Sequence, residues 1–383
     1  MSRTIWIISG ETSGDMYGAA LAKELWERQP GLTIKGMGGT AMREAGVEIM
    51  VDSTELGVVG IVEVLKSIFF FIRLLKDMAH RAAEERPDAV ILIDYPGFNL
   101  RLAQRLHKAG IPVIYYISPQ VWAWKKGRIK TIAKCVRRML CIFPFEPAVY
   151  EGTGLDIKFI GHPLLDILAP LRKSDIQRDE KLVLLLPGSR SNELKALLKT
   201  FVQTALLLKE KHQELHFTIP LPREKTRKLA ERLLEECNLN EEQRKCFQIS
   251  VGDTRQQMKM AIAGIAASGT VTVEAAMLGL PLVVSYKVSW LTYQVAKALV
   301  KLPSITIANL VTGQTVYEER LQYDAVPDKL ASALEDILPG GSRRQTCLDG
   351  IEKCVKMLGE DTKASARAAD AVIEVLEGRA GDL

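Results

Sequence analysis

The sequence lacks the cysteine and histidine spacings that hold metal ions or redox disulfides. Its 383 residues include six cysteines, and no two of them stand in CxxC spacing. In a chain of this length, such cysteines predict the reduced thiols of a cytosolic protein rather than a disulfide framework. The two histidines of HQELH, at 212–216, straddle a predicted helix-to-strand junction and do not have the HExxH order. We therefore expect no metal site and no cofactor.

Long apolar runs and a strong charge imbalance are also missing. No window reaches the roughly 18 apolar residues of a membrane-spanning helix, and the longest suspicious run is SIFFFI at 67–72. The start, MSRTIWIISGETSGD, does not have the pattern of a signal peptide, because its apolar run is short and leads into polar turn residues. A net charge of +5 is too small to indicate nucleic acid, but it fits an anionic ligand or lipid surface.

A third absence is a phosphate-binding glycine fingerprint after the first predicted strand. The stretch SGETSGD at 9–15 has glycines in the spacing G-x3-G-x3-G, not G-x-G-x-x-G, and it lacks the GK[ST] of a P-loop. Glu11 and Asp15 would also repel a pyrophosphate. These features argue against a nicotinamide-dependent oxidoreductase. They leave two interpretations: a structural turn with Asp15 near a helix start, or a turn that binds a neutral, hydroxylated ligand.

The sequence does contain an alternation of apolar strands and helices, and this alternation occurs twice. Near-continuous apolar strands separated by helices predict a parallel sheet covered on both faces. In the first half we predict strands at 4–9, 32–39, 86–96, 111–119, 137–147 and 157–163, and helices at 16–29, 57–86 and 98–110. In the second half we predict strands at 181–190 and 215–222, a helix at 191–210, a strand–helix–strand unit at 260–286 and a final helix at 365–378.

The two halves are separated by residues 168–180. This stretch is charged, contains Pro170 and has no apolar stripe, so we predict a linker. The chain is also longer than the size at which a single core usually stops growing. We therefore expect an α/β fold with two tandem Rossmann-like doubly wound domains, and an interdomain cleft as the default active site.

Two turns of the second half have phosphate-binding character. Ser268, Gly269 and Thr270 lie between an apolar strand and a helix, where free backbone N–H groups attract an anion. Glu274, one turn further, is placed to accept hydrogen bonds from ribose hydroxyls. Arg190 follows the strand LVLLL, where a guanidinium pairs with phosphate. The alternatives are helix capping by Ser268 or Thr270 and a surface position for Arg190. The two features together favour a nucleotide diphosphate.

In the first half, Asp94 is the acid best placed for catalysis. It stands in LIDYPGFN, at the carboxyl end of a predicted buried strand. It is either a cap for the helix that begins near Phe98 or a general base. His162, in IGHP, has an ordinary interpretation as a turn histidine held by Pro163.

The predicted helix at 57–86 has two faces. Helical spacing predicts a core stripe of Ile61, Leu65, Ile68, Ile72 and Leu75. Phe70 points roughly away from this stripe, with Lys66 and Arg73 nearby. An exposed aromatic side chain flanked by cations suits the interface of an anionic membrane. The alternative is that another loop or subunit covers Phe70.

With these residues laid out, the chain resembles the lipid A disaccharide synthases, an inverting family of glycosyltransferase-B type fold. The matching stretches run in order from residue 9 to residue 281: SGETSGD, GMGG with a following AGVE, LGVVGIVEVL, LIDYPGFNLRLA, YYISPQVWAWKKGRI, FPFEP, IGHPLLD, LLPGSR and ASGTVTVEAAMLGLP. A weaker match continues from IANLVTG to Gln322. The chain lacks the prolines that the family usually has near Asn309 and shortly before Gln322.

The resemblance implies a reaction in lipid A, and hence lipopolysaccharide, biosynthesis. UDP-2,3-diacylglucosamine would donate its sugar to the 6-hydroxyl of 2,3-diacylglucosamine 1-phosphate, with inversion at the anomeric carbon and release of UDP. Residues 1–167 would bind the acceptor, with the helix at 363–383 packing back on them, and residues 168–362 would bind the UDP-sugar. The resemblance also implies a cytoplasmic enzyme, peripherally associated with the anionic inner membrane, and a homodimer.

The resemblance and the residue analysis together assign roles. We expect Asp94 to be the general base, with Glu11 as the second candidate. The expected UDP-binding residues are Arg190, Ser268, Gly269, Thr270, Glu274 and Asn309. The expected acceptor-binding residues are Ser13, Gly14, Asp15, Asn99, Ser118 and Gln120.

Two other functions compete with a transferase. The main alternative is a UDP-N-acetylglucosamine 2-epimerase, which shares the two-domain architecture but needs no second, lipid substrate. A peripheral membrane scaffold would explain an exposed Phe70 but not the joint occurrence of Arg190 and the turn at 268–270.

Overall fold

The computed structural model contains two α/β units, each built on one parallel sheet. It describes residues 3–53, 61–123, 127–287, 302–360 and 362–380, with the side chains of 61–68, 379 and 380 excluded. The first unit comprises Met1–Ile167 and Leu358–Leu383, and the second comprises Leu168–Met357. The chain thus leaves the first unit once and returns to it for its last helix.

The first unit contains a seven-stranded sheet. Its strands are β1 (Thr4–Ser9), β2 (Thr33–Gly38), β3 (Glu48–Asp52), β4 (Ala89–Ile93), β5 (Val113–Tyr116), β6 (Arg138–Cys141) and β7 (Asp156–Phe159). They lie in the order β3-β2-β1-β4-β5-β6-β7, and every neighbouring pair is parallel. Strands β4 and β5 are buried along their whole length, which explains their continuous apolar sequences.

Helices connect these strands. They are α1 (Thr12–Arg28), α2 (Thr40–Glu44), α3 (Ile61–Glu85), α4 (Pro96–Lys108), α5 (Arg128–Cys135), α6 (Glu146–Val149) and α7 (Leu164–Arg172), the last of which runs across the boundary between the units. Helix α4 begins with Pro96, a residue preorganised for a first helical turn, and carries Arg105, His107 and Lys108 in its last turn, where cations complement the helix dipole.

The second unit is also built on one parallel sheet, which has six strands. These are β8 (Asp179–Leu186), β9 (His216–Leu221), β10 (Phe247–Val251), β11 (Ala261–Ala267), β12 (Leu282–Tyr286) and β13 (Glu318–Leu321), in the parallel order β10-β9-β8-β11-β12-β13. Its helices are α8 (Ser191–Lys211), α9 (Arg227–Glu235), α10 (Glu241–Lys245), α11 (Thr254–Met260), α12 (Thr270–Met277), α13 (Ile307–Thr312), α14 (Pro327–Glu335) and α15 (Arg344–Met357).

The last helix, α16 (Ala364–Ala380), packs on the first unit. The carboxylate of Asp166 accepts a 2.7 Å hydrogen bond from the backbone N–H of Ser365 at its start. Further along, Glu374 pairs with Arg138 of β6 at 2.7 Å. These contacts fix both ends of the helix against the unit that contains the amino terminus.

Each sheet has one point where the strand order reverses. In the first unit this point lies between β1 and β4, where Ser9 pairs with Ile93. In the second unit it lies between β8 and β11, where Leu186 pairs with Ala266. Ligands of open parallel sheets bind in the crevice beyond the carboxyl ends of such strands. The residues that follow these four strands are therefore the candidates for function.

The predicted fold class is confirmed, and several predicted boundaries differ. Most of SGETSGD is helical rather than a turn, because α1 begins at Thr12. The strand predicted at 137–147 ends at Cys141, and strand β3 was not predicted because its residues EIMVD are few and only half-buried. The predicted linker at 168–180 begins inside α7, which tolerates Pro170 close to its end, where a missing N–H removes a single bond.

The buried face of α3 also differs from the predicted stripe. Leu75 is buried as expected, but Ile72 is 46% exposed. Phe71 packs against the core in its place, and the stripe continues through Leu74, Met78 and Ala82. The side chains of Ile61, Leu65 and Ile68 lie outside the described residues. The apolar run at 67–72 surrounds the helix, so periodicity alone does not determine which side faces the core.

Candidate active site

One candidate site lies in the first unit, at the reversal point between β1 and β4. The pairing of Ser9 with Ile93 brings Glu11 and Asp94, which follow these strands, to the same crevice. Asp94 is half-buried and Glu11 is exposed. Burial, followed by the negative charge of Glu11, raises the pKa of Asp94 to about 6. A carboxylate whose pKa is raised by burial and a neighbouring charge is typical of a proton-transfer site.

The backbone at Asp94 adopts a rare conformation. Asp94 and Tyr95 both have positive φ angles, of +43° and +48°, in the left-handed region that non-glycine residues seldom occupy. The backbone N–H of Asp94 donates to the carbonyl of Tyr116 at 3.0 Å. The carbonyl of Asp94 accepts hydrogen bonds from Tyr115 Oη at 2.6 Å and Asn99 Nδ2 at 2.8 Å. These three hydrogen bonds hold the backbone of the turn that carries the Asp94 carboxylate in one conformation.

Asn99 is therefore not placed as expected. It is fully buried, and its Nδ2 also donates to the carbonyl of Ile93 at 3.1 Å. Its Oδ1 finds no partner among the described residues. We assign Asn99 to positioning the turn at Asp94 rather than to direct contact with an acceptor. Helix α4 takes Tyr95 as its N-cap residue, so a capping role for Asp94 has no support.

Asp15 is likewise engaged within the protein. It is buried, and its carboxylate accepts hydrogen bonds from the backbone N–H groups of Gly39 at 2.6 Å, Ala41 at 2.9 Å and Met42 at 3.1 Å. This carboxylate caps the start of α2. Gly14 faces inward, where an added Cβ would lie 2.6 Å from the Oγ of Ser9. Of the residues expected on this helix to contact an acceptor, Ser13 alone is partly exposed while Gly14 and Asp15 are buried.

The loops after β5 and β6 complete this edge of the sheet. Ser118 is buried, and its Oγ forms a 2.8 Å hydrogen bond with the hydroxyl of Tyr150. Gln120 is exposed. Of these two expected acceptor residues, only Gln120 presents its side chain to solvent.

Glu146 is a residue that the sequence analysis did not identify. It is fully buried and accepts hydrogen bonds from the backbone N–H groups of Ile142 at 3.1 Å and Phe143 at 3.0 Å and, more weakly, from Trp122 Nε1 at 3.4 Å. Burial raises its pKa to about 7. The sequence places Glu146 in FPFEP, after an apolar strand, which could have indicated a functional acid. An acid at that position is also common at the start of a helix, so the sequence alone did not distinguish it. Glu146 ties the loop after β5 to the loop after β6.

His162 agrees with its ordinary interpretation. It is buried, and burial lowers its pKa to about 3, so it is neutral at physiological pH. Its Nδ1 accepts a 3.2 Å hydrogen bond from the backbone N–H of Leu164. His162 is thus a buried turn residue whose imidazole bonds to the backbone just after it.

A separate candidate site lies in the second unit, at the reversal point between β8 and β11. Arg190 follows β8, and its side chain is 83% exposed. Its Nη1 contacts Glu193 Oε1 at 3.3 Å, while Glu193 Oε2 accepts from the backbone N–H groups of Ser189 and Arg190. The turn passes through Gly188, at φ +110°. Glu193 thus fixes the turn, and the guanidinium extends into solvent beside it.

The start of α12 has the character of an anion site. Ser268 is half-buried, and Gly269 and Thr270 are exposed. The N-cap residue is Gly269, and no side chain caps the helix, so the capping alternative for Ser268 and Thr270 has no support. Glu274 Oε2 accepts a 2.9 Å hydrogen bond from Arg255 Nε. The free N–H groups of a helix start attract negative charge.

Asn309 has a structural role that the sequence did not suggest. It is buried, its Oδ1 accepts from the backbone N–H of Tyr317 at 2.9 Å, and its Nδ2 donates to the carbonyl of Tyr317 at 2.8 Å. Its Nδ2 also contacts Glu319, which caps the loop before α13 through the N–H of Thr306 at 2.9 Å. Asn309 therefore joins α13 to β13, and we do not assign it to direct contact with UDP.

Helix α3 carries an exposed apolar face. Phe69 is 73% exposed, Phe70 48% and Ile72 46%. Arg73 is exposed on the same helix, and the side chain of Lys66 lies outside the described residues. Among the helices that the structure describes, none is both long enough and apolar enough to cross a membrane. Across the same residues, no three acidic, histidine or cysteine side chains are grouped as a metal would require.

Solved structures share the fold of this chain at low sequence identity. The glycotransferase of kitacinnamycin has a TM-score of 0.65 at 15% identity, with 98% of this chain and 99% of that chain covered. UDP-GlcNAc 2-epimerase from Neisseria meningitidis, bound to UDP-GlcNAc, has a TM-score of 0.62 at 12% identity, with 98% and 100% covered. Both describe the fold alone, so the likeness to an epimerase does not favour that function.

Sequence relatives are more specific. A lipid-A-disaccharide synthase from Geobacter sulfurreducens is 39% identical over 384 residues, which cover 98% of each chain. The family model described as lipid-A-disaccharide synthetase matches residues 5–373. Because both matches span nearly the whole sequence, the chain belongs to the lipid-A-disaccharide synthase family, and it is a hexosyltransferase with the glycosyltransferase-B fold.

Proposed function

We propose that this enzyme transfers the sugar of UDP-2,3-diacylglucosamine to the 6-hydroxyl of 2,3-diacylglucosamine 1-phosphate. The product is a β-1,6-linked disaccharide 1-phosphate, and UDP is released with inversion at the anomeric carbon. One observation carries the proposal. Asp94, whose pKa is raised to about 6, stands on a left-handed turn at the reversal point of the first sheet.

Asp94 acts as the general base. Its carboxylate takes the proton of the acceptor 6-hydroxyl while that oxygen attacks the anomeric carbon, and the bond to UDP breaks with its electrons leaving on the diphosphate. A base with a pKa of about 6 is ionised at neutral pH and still basic enough to assist. Burial, followed by the negative charge of Glu11, raises the pKa of Asp94 and so strengthens it as a base.

The acceptor-side residues divide into two groups. Ser13 and Gln120, which are at least partly exposed, contact the acceptor sugar. Gly14, Asp15, Asn99 and Ser118 are buried and hold the surrounding turns in place. The first unit is thus the acceptor-binding domain of the proposal.

The second unit binds the UDP moiety of the donor. The exposed guanidinium of Arg190 and the uncapped start of α12, from Ser268 to Thr270, neutralise the leaving diphosphate. Arg255 orients the Glu274 carboxylate, which accepts hydrogen bonds from the ribose. These groups supply the electrostatic stabilisation that the departing diphosphate requires.

The exposed face of α3 contacts the anionic surface of the inner membrane. Phe69, Phe70 and Ile72 bury apolar area at the interface, and Arg73 attracts anionic headgroups. Such peripheral binding at the cytoplasmic surface gives the enzyme access to two substrates that carry acyl chains. A homodimer, implied by the family resemblance, remains a prediction that sedimentation equilibrium tests.

An acceptor-dependence assay tests the proposed reaction. The enzyme is given the acylated UDP-sugar with and without 2,3-diacylglucosamine 1-phosphate, and UDP release is measured. A transferase releases UDP only when the acceptor is present. UDP release at the same rate with and without the acceptor, or epimerisation of UDP-N-acetylglucosamine at C2, would instead support the epimerase alternative.

A further inference from the structure

Tyr95 occupies the junction between the catalytic turn and the exposed face of α3. It follows Asp94 directly, and its half-buried ring lies against the turn after β1. A Cβ added to Gly10 would lie 2.4 Å from Cδ1 of Tyr95, so only glycine leaves room for this ring. The burial of the phenol, followed by the charge of Glu11, raises the pKa of Tyr95. Its side chain is therefore neutral at physiological pH and lies within reach of the charge of Glu11.

The Tyr95 ring also contacts an aromatic cluster. Its centroid lies 6.3 Å from that of Phe71 and 6.1 Å from that of Phe98. Phe71 in turn contacts Phe70 at 5.8 Å, and Phe70 belongs to the exposed apolar face of α3. An unbroken aromatic surface thus runs from solvent-exposed Phe70 to the residue beside Asp94.

The backbone conformation of Tyr95 is energetically unfavourable for a residue with a bulky side chain. Its φ of +48° follows the φ of +43° at Asp94, and two consecutive left-handed residues normally favour glycine or asparagine. Bulky side chains persist in such conformations where the site uses them. The ring therefore has a use at this position beyond forming the turn.

We propose that Tyr95 is a specificity-determining residue that contacts an acyl chain of the acceptor. The inference rests on the proposed function, because that acceptor must bring a hydroxyl group to Asp94 while its acyl chains stay in apolar surroundings. Tyr95 is the residue at which the polar crevice meets the aromatic surface. Its ring supports the acyl chain next to the reacting sugar and directs the remainder of the chain toward Phe71 and the face of α3.

The test compares acceptors that differ only in acyl-chain length. Steady-state rates are measured for wild type, Tyr95→Phe, Tyr95→Ala and Tyr95→Asn, with a long-chain and a short-chain acceptor. Tyr95→Asn is informative because asparagine tolerates the left-handed backbone and so keeps the turn at Asp94. Calorimetric binding of UDP verifies that the second unit is intact in every variant.

We expect Tyr95→Ala and Tyr95→Asn to raise KM for the long-chain acceptor about tenfold, the size that follows when a few methylene groups lose an apolar contact. In the same two variants, KM for the short-chain acceptor should change less than about twofold. The kcat of Tyr95→Asn should also change less than about twofold. Tyr95→Phe, which retains the ring, should behave as wild type. Phe98→Leu, in the same cluster, serves as the control for general loosening and should affect both acceptors alike.

Two results would overturn the inference. One is an equal change in KM for both acceptors, and the other is a loss of kcat alone, which would assign Tyr95 to the backbone turn. A wild-type enzyme that releases no UDP in response to acceptor would instead contradict the proposed function. An active wild type whose Tyr95 variants keep their preference for long chains contradicts only the role of Tyr95.

Discussion

The buried phenol of Tyr115 donates a 2.6 Å hydrogen bond to the backbone carbonyl of Asp94. Tyr115 lies on β5, next to β4, whose last residue, Ile93, directly precedes Asp94. The contact joins the core of the sheet to the left-handed turn that carries the proposed base. The turn that carries the proposed base is therefore held by the packed core of the sheet.

Removal of this hydroxyl should loosen the turn. Tyr115→Phe is expected to lower the free energy of unfolding by about 1 kcal/mol, the usual net value of a buried hydrogen bond, and to lower kcat more than it changes KM. The control is Tyr116→Phe, one residue further along the same strand. The Tyr116 hydroxyl is buried without a hydrogen-bond partner among the described residues, so its removal should be neutral or stabilising. Equal effects of the two substitutions in denaturant titrations would refute this account.

The substitution Asp94→Asn should stabilise the protein at alkaline pH. Burial raises the pKa of Asp94 from 3.8 to about 6, so the native state holds this proton more tightly than the unfolded chain does. The stability of the wild type therefore falls as pH rises from about 4 to about 6 and stays lower above that range. The difference in pKa corresponds to roughly 3 kcal/mol, which is the upper limit for the gain from Asp94→Asn.

Thermal or urea unfolding at two pH values measures this gain. Asp94→Asn should exceed the wild type in stability at about pH 8, and the difference should nearly vanish at about pH 3, where Asp94 is mostly protonated in both states. Glu146, whose pKa is raised to about 7, contributes equally to both proteins and cancels in the comparison. The same stability difference at both pH values would show that Asp94 is not responsible.

Arg190 should contribute directly to UDP affinity. Loss of a charge-assisted hydrogen bond to phosphate predicts that Arg190→Ala weakens UDP binding by about tenfold to a hundredfold. Glu274→Ala should weaken it less and should not affect binding of inorganic phosphate. Arg232→Ala is the control, because Arg232 is also an exposed arginine and pairs with a nearby glutamate, Glu236. Calorimetric affinities that match the wild type would remove both residues from the donor site.

Phe70 should support membrane association. Phe70→Ser is expected to reduce cosedimentation with vesicles that contain phosphatidylglycerol by about fivefold, from the apolar area that no longer enters the interface. Its thermal stability should be unchanged because the side chain is half exposed. Tyr323→Ser, which alters another exposed aromatic residue, is the control. Equal sedimentation of the Phe70 variant and the wild type would count against α3 as the membrane-binding face.

The architecture could be read from the sequence because the strands are continuous apolar runs. Strands β4 and β11 are buried along their whole length, and such runs separated by helices have few alternatives to a parallel sheet. The position of Asp94 followed directly, since an acid after a buried strand must lie at the carboxyl edge of the sheet. Short, half-buried β3 has no such signature.

The roles of individual polar residues could not be predicted in the same way. Asp15, Asn99 and Asn309 occupy the motif positions at which a ligand contact is expected, yet each bonds to nearby backbone groups. A polar side chain at the end of a strand looks the same in sequence whether its partner is a substrate or a neighbouring loop. The left-handed backbone at Asp94 and Tyr95 carries no sequence signal either, because neither residue is glycine.

The most direct measurement is acceptor-dependent UDP release by the wild type and Asp94→Asn across pH. Wild-type turnover should require the acylated monosaccharide phosphate and should fall as pH decreases through about 6, where Asp94 becomes protonated. Asp94→Asn should bind UDP normally and turn over about a thousandfold more slowly, the size of a lost general base. Turnover of Asp94→Asn at the wild-type rate would contradict the account.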